Sequence, residues 1–216
     1  MIEIIRKNLQ PFGAQLIAVS KTKSPSAIET LYEQGQRHFG ENYVQEILEK
    51  QPVLPSNICW HFIGHLQSNK VKYIATFVHL IHTLDSLSLL KEINKQAAKN
   101  QRIIDCLLQI KINDEETKFG LEASEIADFF ASVEYKEAKN VRIIGVMGMA
   151  TFTEDKNQVR REFQQLKQTF DLLKKDYFSN SETFQHISMG MSDDYLIALE
   201  EGSTMVRIGS LLFGKR

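Results

Sequence analysis

What most constrains this chain is a repeated alternation of short β-type runs with segments of helical spacing. The runs are LIAVS, RHFGE, WHFIG, LIHTL, IIDCLLQIKI, VRIIGVMG, FQHISMG and MVRIGSLLFG. Between them lie apolar stripes. The clearest is Val159, Phe163, Leu166, Phe170, Leu173 and Tyr177, spaced by alternating steps of four and three, which marks one face of an α-helix. Others centre on Ala27, Ile28, Leu31 and Tyr32; on Val44, Ile47 and Leu48; on Val71, Ile74 and Ala75; on Leu87, Leu90 and Ile93; and on Ile126, Phe129, Phe130 and Val133. Ser24 followed by Pro25 has the form of an N-cap and first helical residue. A last helix is predicted from Asp193, capped by Ser192 and ended by Gly202. Strands that alternate with helices pair in parallel. Eight such units in 216 residues predict an α/β fold, a closed (β/α)8 TIM barrel. A doubly wound open sheet is the alternative, because periodicity does not say whether the sheet closes.

A chain of this length buries a core without help from disulfides or metals. Its 43% hydrophobic and 25% charged residues are those of an ordinary globular protein. A net charge of −1 gives no electrostatic footing for nucleic acid or an anionic membrane. Cys59 and Cys106 stand far apart, which suits free thiols in a reducing compartment. The start MIEIIRKNLQPFGAQ lacks the pattern of a secretory signal, and no run approaches the roughly 20 apolar residues of a membrane span. The expectation is one cytoplasmic domain over residues 1–216, monomeric for want of an obvious apolar docking surface.

In a barrel, chemistry gathers at the C-terminal ends of the strands, and phosphate sits on the loops after strands 7 and 8. Ile17, Val19 and Lys21 share one face of strand 1. Lys21 is therefore predicted at the mouth, with Lys23 following if the chain stays extended. A desolvated lysine loses its proton more readily, and its neutral amine attacks aldehydes. A lysine merely leaving the strand for solvent is the plainer reading of the spacing alone. HISMGMSDD puts Ser188 and Gly190 after strand 7, and VRIGSLLFG puts Gly209 and Ser210 after strand 8. Glycine lets a phosphate reach backbone amides, and serine adds a hydroxyl, although turn glycines and a capping serine explain either motif singly. Asp193 and Asp194 suit a helix N-terminus but repel phosphate, which moves the predicted phosphate toward Gly209 and Ser210. Arg207, on the apolar stretch MVRIG, needs a buried acceptor. A ring nitrogen of a bound cofactor or a structural carboxylate would serve.

Two motifs are discounted. GSLLFGKR follows the P-loop pattern until Arg216, which stands where a hydroxyl residue would hold magnesium. HFIGH sets His61 and His65 four apart, a spacing that converges on a helix but not at a strand and its exit. His38, His79, His82 and His186 show no ligand spacing, so no metal site is expected.

Together, the lysine after strand 1, the arginine on strand 8 and the Gly/Ser loops carry a resemblance. The chain resembles the pyridoxal phosphate homeostasis protein family (the YggS/PROSC type). Similar stretches run nearly end to end: AVSKTK, GQRHFGENYVQE, WHFIGHLQSNK, HTLDS, GVMGMATFTED, SMGMSDD and VRIGSLLFG. The resemblance implies a single barrel related to the N-terminal domain of alanine racemase (fold type III), holding pyridoxal 5′-phosphate as an aldimine on Lys21. It implies Arg207 at the pyridine nitrogen, Ser188, Gly190, Gly209 and Ser210 around the phosphate, Asn42 and Met149 near the ring, and Lys23 as a secondary acceptor. Two features depart from the family pattern: the region before AVSK is short, and Gly148 stands where a bulkier or more polar residue is expected.

The implied role is non-catalytic, holding the cofactor in vitamin B6 homeostasis and passing it to apo-enzymes. A weakly active racemase-like enzyme is the alternative. Racemisation needs a proton-transfer group on each face of the substrate carbanion, and no tyrosine or cysteine stands out for the second face. Alanine racemases bring that group on a separate domain, for which no residues follow the eighth strand. An arginine at the ring nitrogen also weakens the cofactor as an electron sink.

Overall fold

A computed structural model describes residues 1–113 and 119–214. Eight strands lie where the β-type runs predict them: β1 (Gln15–Val19), β2 (His38–Glu41), β3 (Cys59–Phe62), β4 (Leu80–Leu84), β5 (Ile104–Gln109), β6 (Val141–Met147), β7 (His186–Ser188) and β8 (Met205–Ile208). They pair in parallel in chain order, and β8 returns to β1 through Gln15↔Met205 and Ala18↔Ile208. The sheet is therefore closed, and the open-sheet alternative falls. Among the described residues the helices are α1 (Ile2–Leu9), α2 (Pro25–Glu33), α3 (Val44–Lys50), α4 (Val71–Ile74), α5 (Leu87–Lys99), α6 (Ile126–Ala131), α7 (Val133–Glu137), α8 (Lys156–Asp176), α9 (Tyr195–Glu200) and α10 (Ser210–Phe213).

The strands divide their side chains between two cores because successive residues face opposite ways. Outward residues such as Leu16, Ala18, Phe39, Trp60, Phe62 and Val206 pack with Ile28, Ile47, Ile93 and Phe163 from the helices. Inward residues Ile17, Leu80, Leu107, Ile144, Met147 and Met205 form a second, smaller apolar cluster inside the barrel. Coverage on both faces is why LIHTL reads as a continuous strand, buried at every position.

Local chemistry sets the helix ends. Ser24 Oγ accepts the Ala27 amide, with Pro25 in the first turn. The stripe from Ile126 to Val133 is two helices, not one. Ser132 takes an extended conformation between them, and its hydroxyl caps the second by accepting the Tyr135 amide. The short N-terminal region still forms a helix, α1, which buries Ile2, Ile5 and Leu9. The predicted last helix begins later than expected, at Tyr195 with Asp194 as N-cap. Ser192 is freed from capping, and its Oγ accepts the Gly209 amide at 3.3 Å, tying the loop after β7 to the end of β8. Gly202 ends that helix at φ 92°, a left-handed conformation suited to glycine. Among the described residues, no helix is long and apolar enough to cross a membrane.

Candidate functional site

The turn after β1 is the most constrained part of the mouth. β1 stops at Val19, and the chain then turns instead of staying extended. The Lys23 amide bonds the Ser20 carbonyl at 3.0 Å, and Thr22 sits at φ 64°. A β-branched residue in that region is strained by roughly 1–3 kcal/mol and persists only when its surroundings hold it. Here they do. The Thr22 amide donates to Glu46 Oε2 at 2.6 Å. The Lys50 ammonium donates to Glu46 Oε2 at 2.7 Å, to Glu41 Oε1 at 2.8 Å and to the Ser20 carbonyl at 2.9 Å. Ser20 Oγ donates to Glu41 Oε1 at 2.6 Å. Lys21 lies between two locked residues as a result.

Ser20, Glu41, Glu46 and Lys50 escape a reading for reactive groups. Their signal was present nonetheless: an acid ends the apolar run HFGE, and Lys50 follows Ile47 by three on the buried face of α3. Burial pushes the Glu41 carboxyl up from its ordinary range, with hydrogen bonds from Lys50 and Ser20 working against it.

Lys21 and Lys23 line a cavity of about 660 Å³ with Val19, Phe152, Asp193, Gly209, Ser210 and Gly214. That volume suits a small cofactor. Lys23 Nζ donates to the Phe213 carbonyl at 3.2 Å and so fastens α10 to the β1 turn. Gly209 is not demanded by packing, since a Cβ there would meet Val19 at an ordinary 3.5 Å. Gly190 is demanded: it has φ 91°, and a Cβ would lie 2.6 Å from Ala198 Cβ. Gly190 also gives its carbonyl to the Arg207 amide.

The remaining predicted residues do not line that cavity. Arg207 and Ser188 are together inside the barrel. Arg207 donates to the Ser188 carbonyl at 2.8 Å, to Ser188 Oγ at 2.7 Å and to the Gly148 carbonyl at 3.0 Å. The buried acceptors sought for this arginine are thus two backbone oxygens and a hydroxyl. Burial draws the guanidinium down to about 10, with Asp194 acting the other way, so Arg207 stays cationic at neutral pH. Gly148 also has a steric reason: a Cβ there would stand 2.9 Å from Ile112 Cδ1 and Leu166 Cδ2. Met149 packs against the inner apolar cluster. Asn42 lines a different cavity of about 500 Å³ with Tyr43, Phe62, His65 and Tyr73. Among the described residues, Asn42 Oδ1 and Gln109 Oε1 are buried acceptors with no hydrogen-bond partner. Both residues stand at the C-terminal ends of strands, where a polar ligand would use them.

The histidines share no spacing in the sequence, yet the fold gathers them. His38 Nδ1 is 2.9 Å from His61 Nε2, His61 Nδ1 is 2.9 Å from His82 Nε2, and His82 Nδ1 is 3.0 Å from Ser188 Oγ. Neighbouring strands run about 4.8 Å apart, so inward rings on β2, β3 and β4 touch although more than twenty residues separate them. Burial is the main cause that lowers the proton affinity of all of these rings, His38 to about 4. His65, at the exit of β3, stays outside and faces Asp85 at 3.4 Å. The P-loop-like stretch begins just after β8 and forms the short α10, while its Lys215 and Arg216 lie outside the described residues.

Comparison with known proteins places this geometry. The family described as alanine racemase, N-terminal domain, matches residues 2–216. A pyridoxal phosphate homeostasis protein of Aquifex aeolicus is 43% identical over 100% of this chain and 95% of its own length. The chain belongs to the pyridoxal phosphate homeostasis protein family. A member from Escherichia coli K12 is 38% identical over 95% of this chain and 87% of its own. PipY of Synechococcus elongatus, solved with pyridoxal phosphate bound, superposes with a TM-score of 0.89 at 32% identity, covering 99% of this chain and 98% of PipY. Alanine racemase of Bartonella henselae shares the fold at a TM-score of 0.68 and 17% identity, over 98% of this chain and 59% of the racemase. For a member of this family, the residues round the β1 turn and the β8 exit fit a pyridoxal phosphate site. They offer an amine, a glycine that leaves its surroundings open, a hydroxyl and a cavity of adequate size.

Proposed function

We propose that this chain is a non-catalytic pyridoxal 5′-phosphate-binding protein of vitamin B6 homeostasis, with Lys21 as the amine that takes the cofactor's aldehyde. The observation that carries the proposal is the cavity at the mouth, which joins Lys21 to Gly209 and Ser210 in a member of this family. When bound, the cofactor supplies an aldehyde that is reactive toward primary amines. The rest falls to the protein. Lys50, Glu41 and Glu46 hold the turn that presents Lys21. Ser210 supplies a hydroxyl, and the first amides of α10, which no helical carbonyl accepts, supply further donors for phosphate. Gly190 shapes the neighbouring loop and Lys23 fastens α10, while Asn42 and Met149, which the family resemblance sets near the ring, do not line this cavity. Ser188 positions Arg207. Arg207 stays a cation held by Ser188 and Gly148; were it to face the pyridine nitrogen, as the family resemblance implies, it would disfavour protonation there and weaken the ring as an electron sink. That supports storage and delivery over turnover. In the same proposal, the protein is a cytoplasmic monomer that passes its cofactor to apo-enzymes.

The test is the visible spectrum of protein mixed with pyridoxal phosphate, followed by borohydride reduction and peptide mapping. A band that borohydride bleaches, with the added mass on Lys21 and lost in Lys21→Ala, is the expected result. Mass spread over other lysines would overturn the site. Steady racemisation or transamination of amino acids by the loaded protein would overturn the non-catalytic reading.

A further inference from the structure

We propose that His38, His61 and His79 form a binding site for one zinc-class transition-metal ion at the N-terminal end of the barrel, opposite the mouth that carries Lys21. One ring nitrogen from each residue lies within 4.8 Å of those of the other two. The ring centroids make a nearly even triangle, with sides of 5.1, 5.5 and 5.2 Å. Two imidazole nitrogens 2.9 Å apart, as in His38 and His61, either share a proton or flank a metal. With metal–nitrogen bonds of about 2.0–2.1 Å, adjacent ligands stand roughly 2.9–3.4 Å apart. The first two ligands are therefore already at coordination distance. His79 is exposed and precedes β4 by one residue, so its ring has room to close the remaining gap.

The support behind the site is also built. His61 is buried and cannot swing away. A metal on its Nε2 leaves Nδ1–H to donate to His82 Nε2, and His82 Nδ1–H then donates to Ser188 Oγ, at the 2.9 and 3.0 Å separations observed. Metal-bound histidines characteristically carry such an outer partner. Burial keeps the three rings toward the neutral form that a metal requires. Two charges reach His79 from other elements, and they oppose each other: Asp105 favours a cation there and Arg102 disfavours it. His186, on β7, also lies close enough to feel the His79 charge. Three imidazoles with the exposed side left open to water are the donor set of zinc, cobalt and nickel sites, and not of calcium or magnesium. None of this depends on what occupies the mouth.

The experiment titrates tag-free, chelator-treated protein with cobalt(II), read by its visible absorption, and with zinc(II), read by calorimetry. One ion per chain is expected, with the intense visible bands of four-coordinate cobalt displaced by zinc. His38→Ala and His79→Ala should each weaken binding by at least about tenfold, while His65→Ala leaves it unchanged. His79 is exposed, so its variant tests the site without disturbing the core, and circular dichroism confirms that each variant is folded. Absence of one-to-one binding, or binding that survives both His38→Ala and His79→Ala, would overturn the assignment.

Discussion

Inside the barrel, one part of the wall is lined by hydrocarbon and another by a string of hydrogen-bonded side chains. Ile17, Leu80, Leu107, Ile144, Met147 and Met205 make the first; His38, His61, His82, Ser188 and Arg207 make the second. The apolar part needs only volume, because dispersion and the hydrophobic effect are non-directional. The polar part needs each partner in place, because a buried group left unpaired keeps its full desolvation cost. The same fold therefore holds a tolerant region beside one in which the side chains depend on named partners. The β1 turn, locked by Lys50, belongs with the second kind.

The largest expected effect comes from breaking that turn. Lys50→Met strands Glu41, which is 0% exposed, and should cost about 3–5 kcal/mol in urea unfolding. His82→Leu preserves bulk but unpairs His61 Nδ1, while Ser188 Oγ keeps Arg207 as its remaining partner. Its expected cost is roughly 1–3 kcal/mol by the same measurement, and a value near zero would mean that the polar string is as tolerant as the hydrocarbon.

The string should also make the protein acid-sensitive. His38 has its proton affinity lowered from 6.5 to about 4 in the folded state, so below pH 6.5 the unfolded chain takes up a proton that the folded chain refuses. Stability should fall as pH drops from about 6.5 toward 4, and His38→Gln should flatten that slope in urea midpoints measured across the range. Smallest of all, Leu107→Met in the hydrocarbon region should cost under about 1.5 kcal/mol. A larger loss there would erase the contrast.

Much of this was legible in the chain. The eight strands, Ser24 as a cap and the placing of Lys21 at the end of β1 follow from periodicity and residue type, which act over a few neighbouring residues. What escaped reading depends on distant parts of the chain. Nothing near Thr22 announces a left-handed turn, because Glu46 and Lys50 on α3 impose it. Ser188 reads as a loop serine, yet β7 ends with its side chain turned inward to Arg207 and His82. Ser192 reads as a cap, but the Gly209 amide competes for its hydroxyl and takes it.

The sequence by itself determined the order of the elements, their hydrophobic faces and the residue types offered at each strand end. Those are local properties, set by backbone geometry and by which side chains shun water. Closure of the sheet and the registers between strands decided the remainder. Registers such as His38↔Cys59 and His61↔Leu80 place the inward rings of neighbouring strands against one another. A shift of one residue in any pairing would have turned those rings outward into the hydrocarbon packing, since side chains alternate along a strand. The gathering of the histidines, and the partners of Arg207 and Lys50, are thus consequences of long-range pairing that no single stretch of the chain contains.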